Sequence, residues 1–165
     1  MRPRRRAATE PSSPPAASLW TTALRLLTRR DYTTAELRTR LIDRGYPPAD
    51  VEATLARLTS DGTLDDRRVG RLHIRSASVI KGRGRLRIER ELVHRGIAPA
   101  LARELLADLP AADEEAQIAR VLARRRLPAR LSLVERRRIF QHLLRRGFSA
   151  EAISRALRGR VEEDE

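Results

Sequence analysis

The hydrophobic and polar positions along the chain repeat three times. The stretches LIDRGYPPADVEATL, LVHRGIAPALARELL and LLRRGFSAEAISRAL carry leucine, arginine, glycine and a large apolar residue in the same order. Their glycines, Gly45, Gly96 and Gly147, are equally spaced. A glycine after an amphipathic segment is typical of a helix end, because it adopts a left-handed backbone without Cβ strain and lets the next apolar residue pack onto the last turn. The pattern therefore predicts one helix before each glycine and another after it.

Helix-start signals surround these glycine turns. Thr33 and Glu36 have the spacing of a capping box, which begins a helix. Pro48 and Pro99 suit a first helical position, and Ser149 suits an N-cap. A further helix-like segment precedes each pair of helices. These additional segments are Leu19–Arg30, Asp66–Val79 and Asp113–Arg125.

The predicted helices make an all-α fold of three tandem three-helix repeats, about nine helices in all. One such unit is too small to bury much apolar surface alone, so stacked units are expected to form an elongated, curved array. The predicted repeats span residues 19–64, 65–110 and 111–161. Residues 1–18 are expected to be a disordered basic arm, and residues 162–165 an acidic tail.

Basic residues strongly outnumber acidic ones. The 165 residues include 35 Lys and Arg against 22 Asp and Glu, which gives a formal net charge of +13. Such an excess predicts a polyanion or an acidic protein surface as the partner. The chain has no cysteine and no apolar run long enough to cross a membrane, which fits a cytoplasmic protein. Aromatic residues make up only 3% of the chain, too few for a platform on which nucleic-acid bases stack.

Positive charges that converge on one surface mark the candidate binding residues. The most promising set surrounds Gly82 and Gly84, because glycine lets a backbone approach a ligand closely and arginine grips phosphate or carboxylate with two donors. Within that set, the best candidates are Lys81, Arg83, Arg85 and Arg87. All candidates are Arg29 and Arg30; Arg75, Lys81, Arg83, Arg85, Arg87 and Arg90; Arg124, Arg125 and Arg126; and Arg137, in a cluster with Arg136, Arg138, Arg145 and Arg146.

Catalytic and cofactor chemistry finds no support in the sequence. The three histidines, His73, His94 and His142, occur singly, whereas a zinc site needs three or four ligands. Helix capping explains the Asp65-Asp66 pair better than metal binding does. The chain has no GxxxxGK[ST] loop to cradle nucleotide phosphates. We therefore expect no enzyme activity, no metal and no cofactor.

Several short motifs follow one another in a recognisable order. They are Ala23-Leu24-x-Leu26-Leu27, Thr34-x-Glu36-Leu37, Arg44-Gly45-Tyr46, Gly62-x-Leu64-Asp65-Asp66-x-Arg68, Gly84-x-x-Arg87-Ile88-x-x-Glu91-Leu92 and Arg95-Gly96-Ile97. Together they resemble the RecX family, regulators of the RecA recombinase, over about residues 22–158. Val69-Gly70 departs from the family's usual Phe-Ala. Gly70 is expected to loosen its helix by about 1 kcal/mol relative to alanine.

The resemblance implies a regulatory protein. RecX proteins are tandem three-helix repeats that lodge in the groove of the RecA nucleoprotein filament and reduce its ATPase, strand-exchange and coprotease activities. Through RecA they regulate DNA repair, recombination and the SOS response. The implied partners are the RecA filament and single- or double-stranded DNA, reached through the filament or directly, with no membrane and a monomeric state. The alternative is a stand-alone helical DNA-binding protein that acts without RecA. Three equal repeats with no distinct recognition helix argue against it.

Overall fold

The computed structural model describes residues 16–108, 112–125 and 131–158. Within these ranges the chain forms nine α-helices, which confirms the all-α prediction. Most of the predicted basic arm, the predicted acidic tail and the candidate Arg126 lie outside the described residues. The chain divides into two compact units, Met1–Asp65 and Asp66–Glu165.

The first unit contains one three-helix repeat. Its helices are α1 (Ala16–Leu27), α2 (Thr34–Ile42) and α3 (Pro48–Ser60). The predicted capping box begins α2: Oγ1 of Thr33 accepts from the Glu36 amide at 3.1 Å, and the Glu36 carboxylate accepts from the Thr33 amide at 3.3 Å. A buried cluster that includes Leu37 and Leu41 joins the three helices.

The second unit contains the other two repeats. Its helices are α4 (Asp66–Arg75), α5 (Arg85–His94), α6 (Pro99–Ala107), α7 (Ala112–Ala123), α8 (Leu133–Arg145) and α9 (Ala150–Ala156). A π-helical turn, Ser76–Ile80, continues α4, and the Lys81 amide donates to the Ser76 carbonyl at 3.2 Å. Separate buried clusters lie within the second repeat and within the third.

The equally spaced glycines end their helices as the sequence predicts. Gly45, Gly96 and Gly147 have φ angles of 84°, 84° and 86°. In each repeat the residue after the glycine is buried and its amide donates back to the carbonyl of the repeated leucine, which is the Schellman arrangement. These bonds measure 3.4 Å for Tyr46, 3.1 Å for Ile97 and 3.2 Å for Phe148. The three repeats therefore share one kind of helix stop.

Gly70 allows α4 to lie close to α6. It is buried, and a Cβ at this position would lie 2.5 Å from Cδ1 of Leu105 and 3.4 Å from Cδ1 of Ile97. The sequence-based expectation of a loosened helix considered helix propensity alone. The structure adds a packing role, because the missing methyl group makes room for the Leu105 side chain.

Candidate functional site

A loop of residues 81–84, which we call the glycine loop, joins the π-helical turn to α5 and lies against the end of α8. The Gly84 amide donates to the Arg146 carbonyl at 2.8 Å, and the Leu86 amide donates to the Gly147 carbonyl at 3.1 Å. The first amides of a helix and the last carbonyls of a helix have no partners within their own helices. Here the start of α5 and the end of α8 satisfy each other, with opposite ends of the two helix dipoles facing.

A side chain at either glycine would block this contact. A Cβ on Gly84 would lie 2.3 Å from the Gly147 carbonyl carbon, and a Cβ on Gly147 would lie 2.4 Å from the Arg87 amide nitrogen. From the sequence, a close backbone approach at Gly84 is expected to serve a ligand. In the structure, that approach serves the third repeat.

Arg146 fastens the glycine loop to α8. Its Nη1 donates to the carbonyls of Lys81 and Gly82, at 2.9 and 3.0 Å, and its Nε donates to Nε2 of His142 at 2.9 Å. Burial lowers the pKa of His142, and three neighbouring arginines lower it further. A neutral imidazole can accept the Arg146 bond, so the depressed pKa and the hydrogen bond support each other.

A basic cleft lies beside this contact, and we call it the junction cleft. It consists of two cavities, of about 430 and 450 Å³, which share Arg83, Arg87 and Arg145 as wall residues. The remaining lining residues are Lys81, Arg90, Arg95, Arg146, His73, His94, His142 and Glu91. Seven lysine and arginine side chains therefore face one carboxylate among the lining residues. Such a cleft suits an anionic partner.

Glu91 holds two of the cleft arginines in place. Its Oε2 accepts from Nη1 of Arg83 at 2.6 Å and lies 3.0 Å from Nε2 of His73, while its Oε1 accepts from Nε of Arg87 at 3.0 Å. Burial raises the pKa of Glu91, but the hydrogen bonds from Arg87, Arg83 and His73 outweigh it, so the pKa lies below its usual value. An ionised Glu91 thus positions both guanidinium groups.

The junction cleft gathers Lys81, Arg83, Arg87 and Arg90 from the predicted glycine-linked set, together with Arg145 and Arg146 from the predicted Arg137 cluster. Arg125 reaches its edge, with Nη2 3.3 Å from Nδ1 of His142. Arg85 is exposed in the first turn of α5 and is not among the lining residues.

The candidates of the first repeat have local roles. The Arg30 guanidinium lies 3.6 Å from the centre of the Tyr32 ring, and its Nη1 lies 3.1 Å from Oε2 of Glu36. Arg30 therefore belongs to the turn between α1 and α2. Arg29 is exposed in the same turn.

Three further candidates lie outside the junction cleft. Arg75 lines a separate cavity of about 290 Å³ with Val79 and Leu105. Arg137 lines another, of about 350 Å³, on the exposed face of α8. Arg124 is exposed just after α7. Arg145 lines both the Arg137 cavity and the junction cleft, whereas Arg75 and Arg124 line neither cavity of the cleft.

Five lining residues lay outside every predicted cluster of binding residues: His73, Glu91, His94, Arg95 and His142. One signal for Glu91 was available, because Arg87 and Glu91 have the i,i+4 spacing of a helical ion pair. His73 is 18 residues from Glu91 in the sequence and lies on another helix, so no local pattern connects the two.

The described residues contain neither a metal-ligand cluster nor a membrane-spanning helix. Across these ranges no group of three or more His, Cys, Asp or Glu side chains is placed to hold a metal ion. In the same part of the chain, no helix is both long enough and apolar enough to span a bilayer.

The fold and the cleft define a class: a protein of tandem three-helix repeats with a basic cleft where two repeats meet. Family models identify it further. The first, second and third three-helix domains of RecX match residues 20–58, 65–106 and 113–157, in that order. The chain belongs to the RecX family.

Individual relatives agree with this assignment. "Regulatory protein RecX" of Halorhodospira halophila is 39% identical over 145 residues, which cover 87% of this chain and 88% of the relative. The protein of the same name from Syntrophotalea carbinolica is 32% identical over 143 residues, covering 84% and 94%. The crystal structure of RecX from Lactobacillus salivarius shares the fold, with a TM-score of 0.74 at 17% identity, covering 86% of this chain and 94% of that one.

Proposed function

We propose that this protein binds the RecA nucleoprotein filament along its groove and reduces the filament's ATPase, strand-exchange and coprotease activities. The observation that carries the proposal is the ordered match of all three repeats to the three RecX domains. The relatives' shared name, "Regulatory protein RecX", agrees with a regulator that acts through a partner. On this proposal it regulates DNA repair, recombination and the SOS response.

The junction cleft is the surface we propose for contact with the filament. Lys81, Arg90 and Arg145 are exposed lining residues, and their side chains are free to meet an anionic surface without breaking an ion pair that holds the cleft together. Arg83 and Arg87 are held by Glu91, so they contribute charge at fixed positions. Exposed arginines outside the cleft, including Arg85, Arg124 and Arg137, can add long-range attraction.

ATP turnover by RecA on single-stranded DNA tests the proposal. We expect the purified protein to lower the steady-state rate when it is present at a concentration comparable to that of RecA. An unchanged rate, under conditions in which RecA is active, would contradict the proposal. Specific binding to one duplex sequence at high salt without RecA would instead favour a stand-alone DNA-binding protein.

A charge-reversal variant tests the proposed surface. We expect Lys81→Glu combined with Arg145→Glu to weaken inhibition by about tenfold or more, because two attractions become repulsions. The control is Arg40→Glu combined with Arg103→Glu, which changes the net charge equally at exposed positions outside the cleft. Equal loss in both variants would show that net charge, and not the cleft, governs binding.

A further inference from the structure

We propose that Glu91 regulates the junction cleft: its carboxylate takes the place on Arg83 and Arg87 that a phosphate of a bound nucleic-acid strand would take, and so it competes with that strand. The inference rests on the proposed function, since it names the ligand of the surface proposed to meet the filament. It concerns the protein alone with nucleic acid, so it can be tested without RecA.

The positive charge of the junction cleft favours a ligand that carries several negative charges close together. In the described part of the chain, seven lysine and arginine side chains line the two cavities, and Glu91 is the one acidic lining residue. A nucleic-acid strand presents successive phosphates with no cations interspersed, and its release of bound counterions favours binding to such a surface. An acidic protein surface usually mixes both signs of charge, which matches this lining less well.

The lining also lacks the groups that read bases. Among the described residues, no aromatic side chain and no Asn or Gln lines the junction cleft, so these residues offer bases neither a stacking surface nor an amide partner. Arginine instead binds phosphate oxygens with paired donors. The junction cleft therefore suits the sugar-phosphate backbone of a nucleic acid. Binding there is expected to be independent of the base sequence and strongly dependent on the salt concentration.

Glu91 already shows how an anion sits in the cleft. Its two oxygens accept from Arg83 and Arg87, at 2.6 and 3.0 Å, and arginine uses the same fork of donors for carboxylate and for phosphate. The side chains of Arg83, Arg87 and Glu91 are 27%, 45% and 21% exposed, so a ligand can reach them. An incoming phosphate is attracted by both arginines and repelled by Glu91. Glu91 thus competes with the ligand.

Two arginines provide a matched comparison. Arg90 in α5 donates Nε to the carbonyl of Leu86 at 3.1 Å, and Arg103 in α6 donates Nε to the carbonyl of Pro99 at 3.3 Å. Both are exposed and each bonds one turn back along its own helix. Of the two, only Arg90 lines the junction cleft. Replacing either residue with Gln removes one positive charge and the same local hydrogen bond.

Fluorescence anisotropy of a labelled oligodeoxythymidylate, titrated with the full chain at several salt concentrations, tests the inference. We expect Arg90→Gln to weaken binding by about fivefold at low salt and to reduce the slope of log affinity against log salt by about 0.7, the share of one phosphate contact on a single strand. Arg103→Gln is expected to leave both quantities nearly unchanged. A mixed-sequence oligonucleotide is expected to bind as tightly as the thymidylate.

Glu91→Gln gives the opposite expectation. Removing the competing charge should strengthen binding by about fivefold, because Arg83 and Arg87 are released for phosphate. Weaker or unchanged binding by this variant would overturn the role given to Glu91, and equal effects of Arg90→Gln and Arg103→Gln would overturn the role of the cleft. If the protein inhibits RecA but does not bind the oligonucleotide at low salt, the phosphate proposal is wrong while the proposed function stands.

Discussion

At the scale of single residues, Gly147 meets two separate requirements. Its φ of 86° lies in the left-handed region, where a side chain adds strain. A Cβ there would also lie 2.4 Å from the Arg87 backbone nitrogen and from the Arg87 Cβ. Gly45 occupies the same position in the first repeat with φ 84°, yet nothing lies within 4 Å of a Cβ built on it. A substitution at Gly45 therefore tests backbone strain alone, whereas the same substitution at Gly147 tests backbone strain together with steric contact.

The first prediction uses this pair. Gly45→Ala should lower the free energy of unfolding of its unit by about 1 kcal/mol, the cost of a left-handed alanine. Gly147→Ala should cost about 2–4 kcal/mol, because overpacking against α5 adds to the same strain. Chemical denaturation followed by circular dichroism measures both. Equal costs would mean that α5 and α8 can separate without loss of stability.

His142 makes the end of α8 sensitive to pH. Burial is the main cause of its lowered pKa, and Arg125, Arg146 and Arg145 add to it. The unfolded chain keeps the usual value near 6.5, so it takes up a proton before the folded chain does as the pH falls. Stability therefore decreases as the pH drops below about 6.5. Glu91, whose pKa is also lowered, adds a loss that begins only near its usual value of 4.5.

The second prediction concerns His142 by itself, because His142 and Glu91 affect stability in different pH ranges. Between about pH 7 and pH 5 the wild-type protein should lose stability, and His142→Gln should lose less, because the uptake of a proton by the unfolded state is removed. Thermal unfolding at a series of pH values measures the effect. An identical pH profile for wild type and His142→Gln would refute the prediction.

At the scale of helices, local sequence determined what could be predicted. The capping box of α2 and the three Schellman turns depend on residues at most five positions apart, so the pattern alone located them. The pairing of the α5 start with the α8 end joins residues about 60 positions apart. Nothing near Gly84 in the sequence indicates its distant partner, and its role was therefore assigned to a ligand.

The same dependence on contacts between distant residues explains how much of the candidate site could be predicted from the sequence. The basic residues around Gly82 and Gly84 were predicted as one group, and the structure places Lys81, Arg83, Arg87 and Arg90 together in the junction cleft. Composition could not show that Arg30 is engaged by Tyr32 and Glu36, because these contacts depend on the turn between two helices. Contacts of this kind decide which positive charges converge, and they become visible only in three dimensions.

At the scale of the whole molecule, the residues that the structure describes form three buried clusters. One cluster occupies the first unit, and two lie in the second unit, one for each repeat. The chain's one tryptophan, Trp20, packs against the cluster of the first unit and lies under the guanidinium of Arg57. Its fluorescence therefore reports on the first unit, whereas circular dichroism reports on all helices. Repeat proteins with separate cores need not unfold in one step.

The third prediction compares these two signals. Leu143→Ala, in the fully buried core of the third repeat, should destabilise the second unit by about 2–5 kcal/mol and move the transition seen by circular dichroism. The transition seen by Trp20 fluorescence should hardly change. Leu41→Ala, at the same position of the first repeat, should instead move the fluorescence transition. Coincident shifts of both signals in both variants would show a single cooperative unit.

The pairing of helix ends at Gly84 also has a kinetic consequence. The first amides of an isolated helix exchange their hydrogens with solvent rapidly, because they have no partner inside the helix. The amides of Gly84 and Leu86 are instead bonded to carbonyls of the next repeat. Their exchange with deuterium therefore does not measure unwinding of α5. It measures how often the second and third repeats come apart, so the protein carries its own reporter of that motion at two backbone positions.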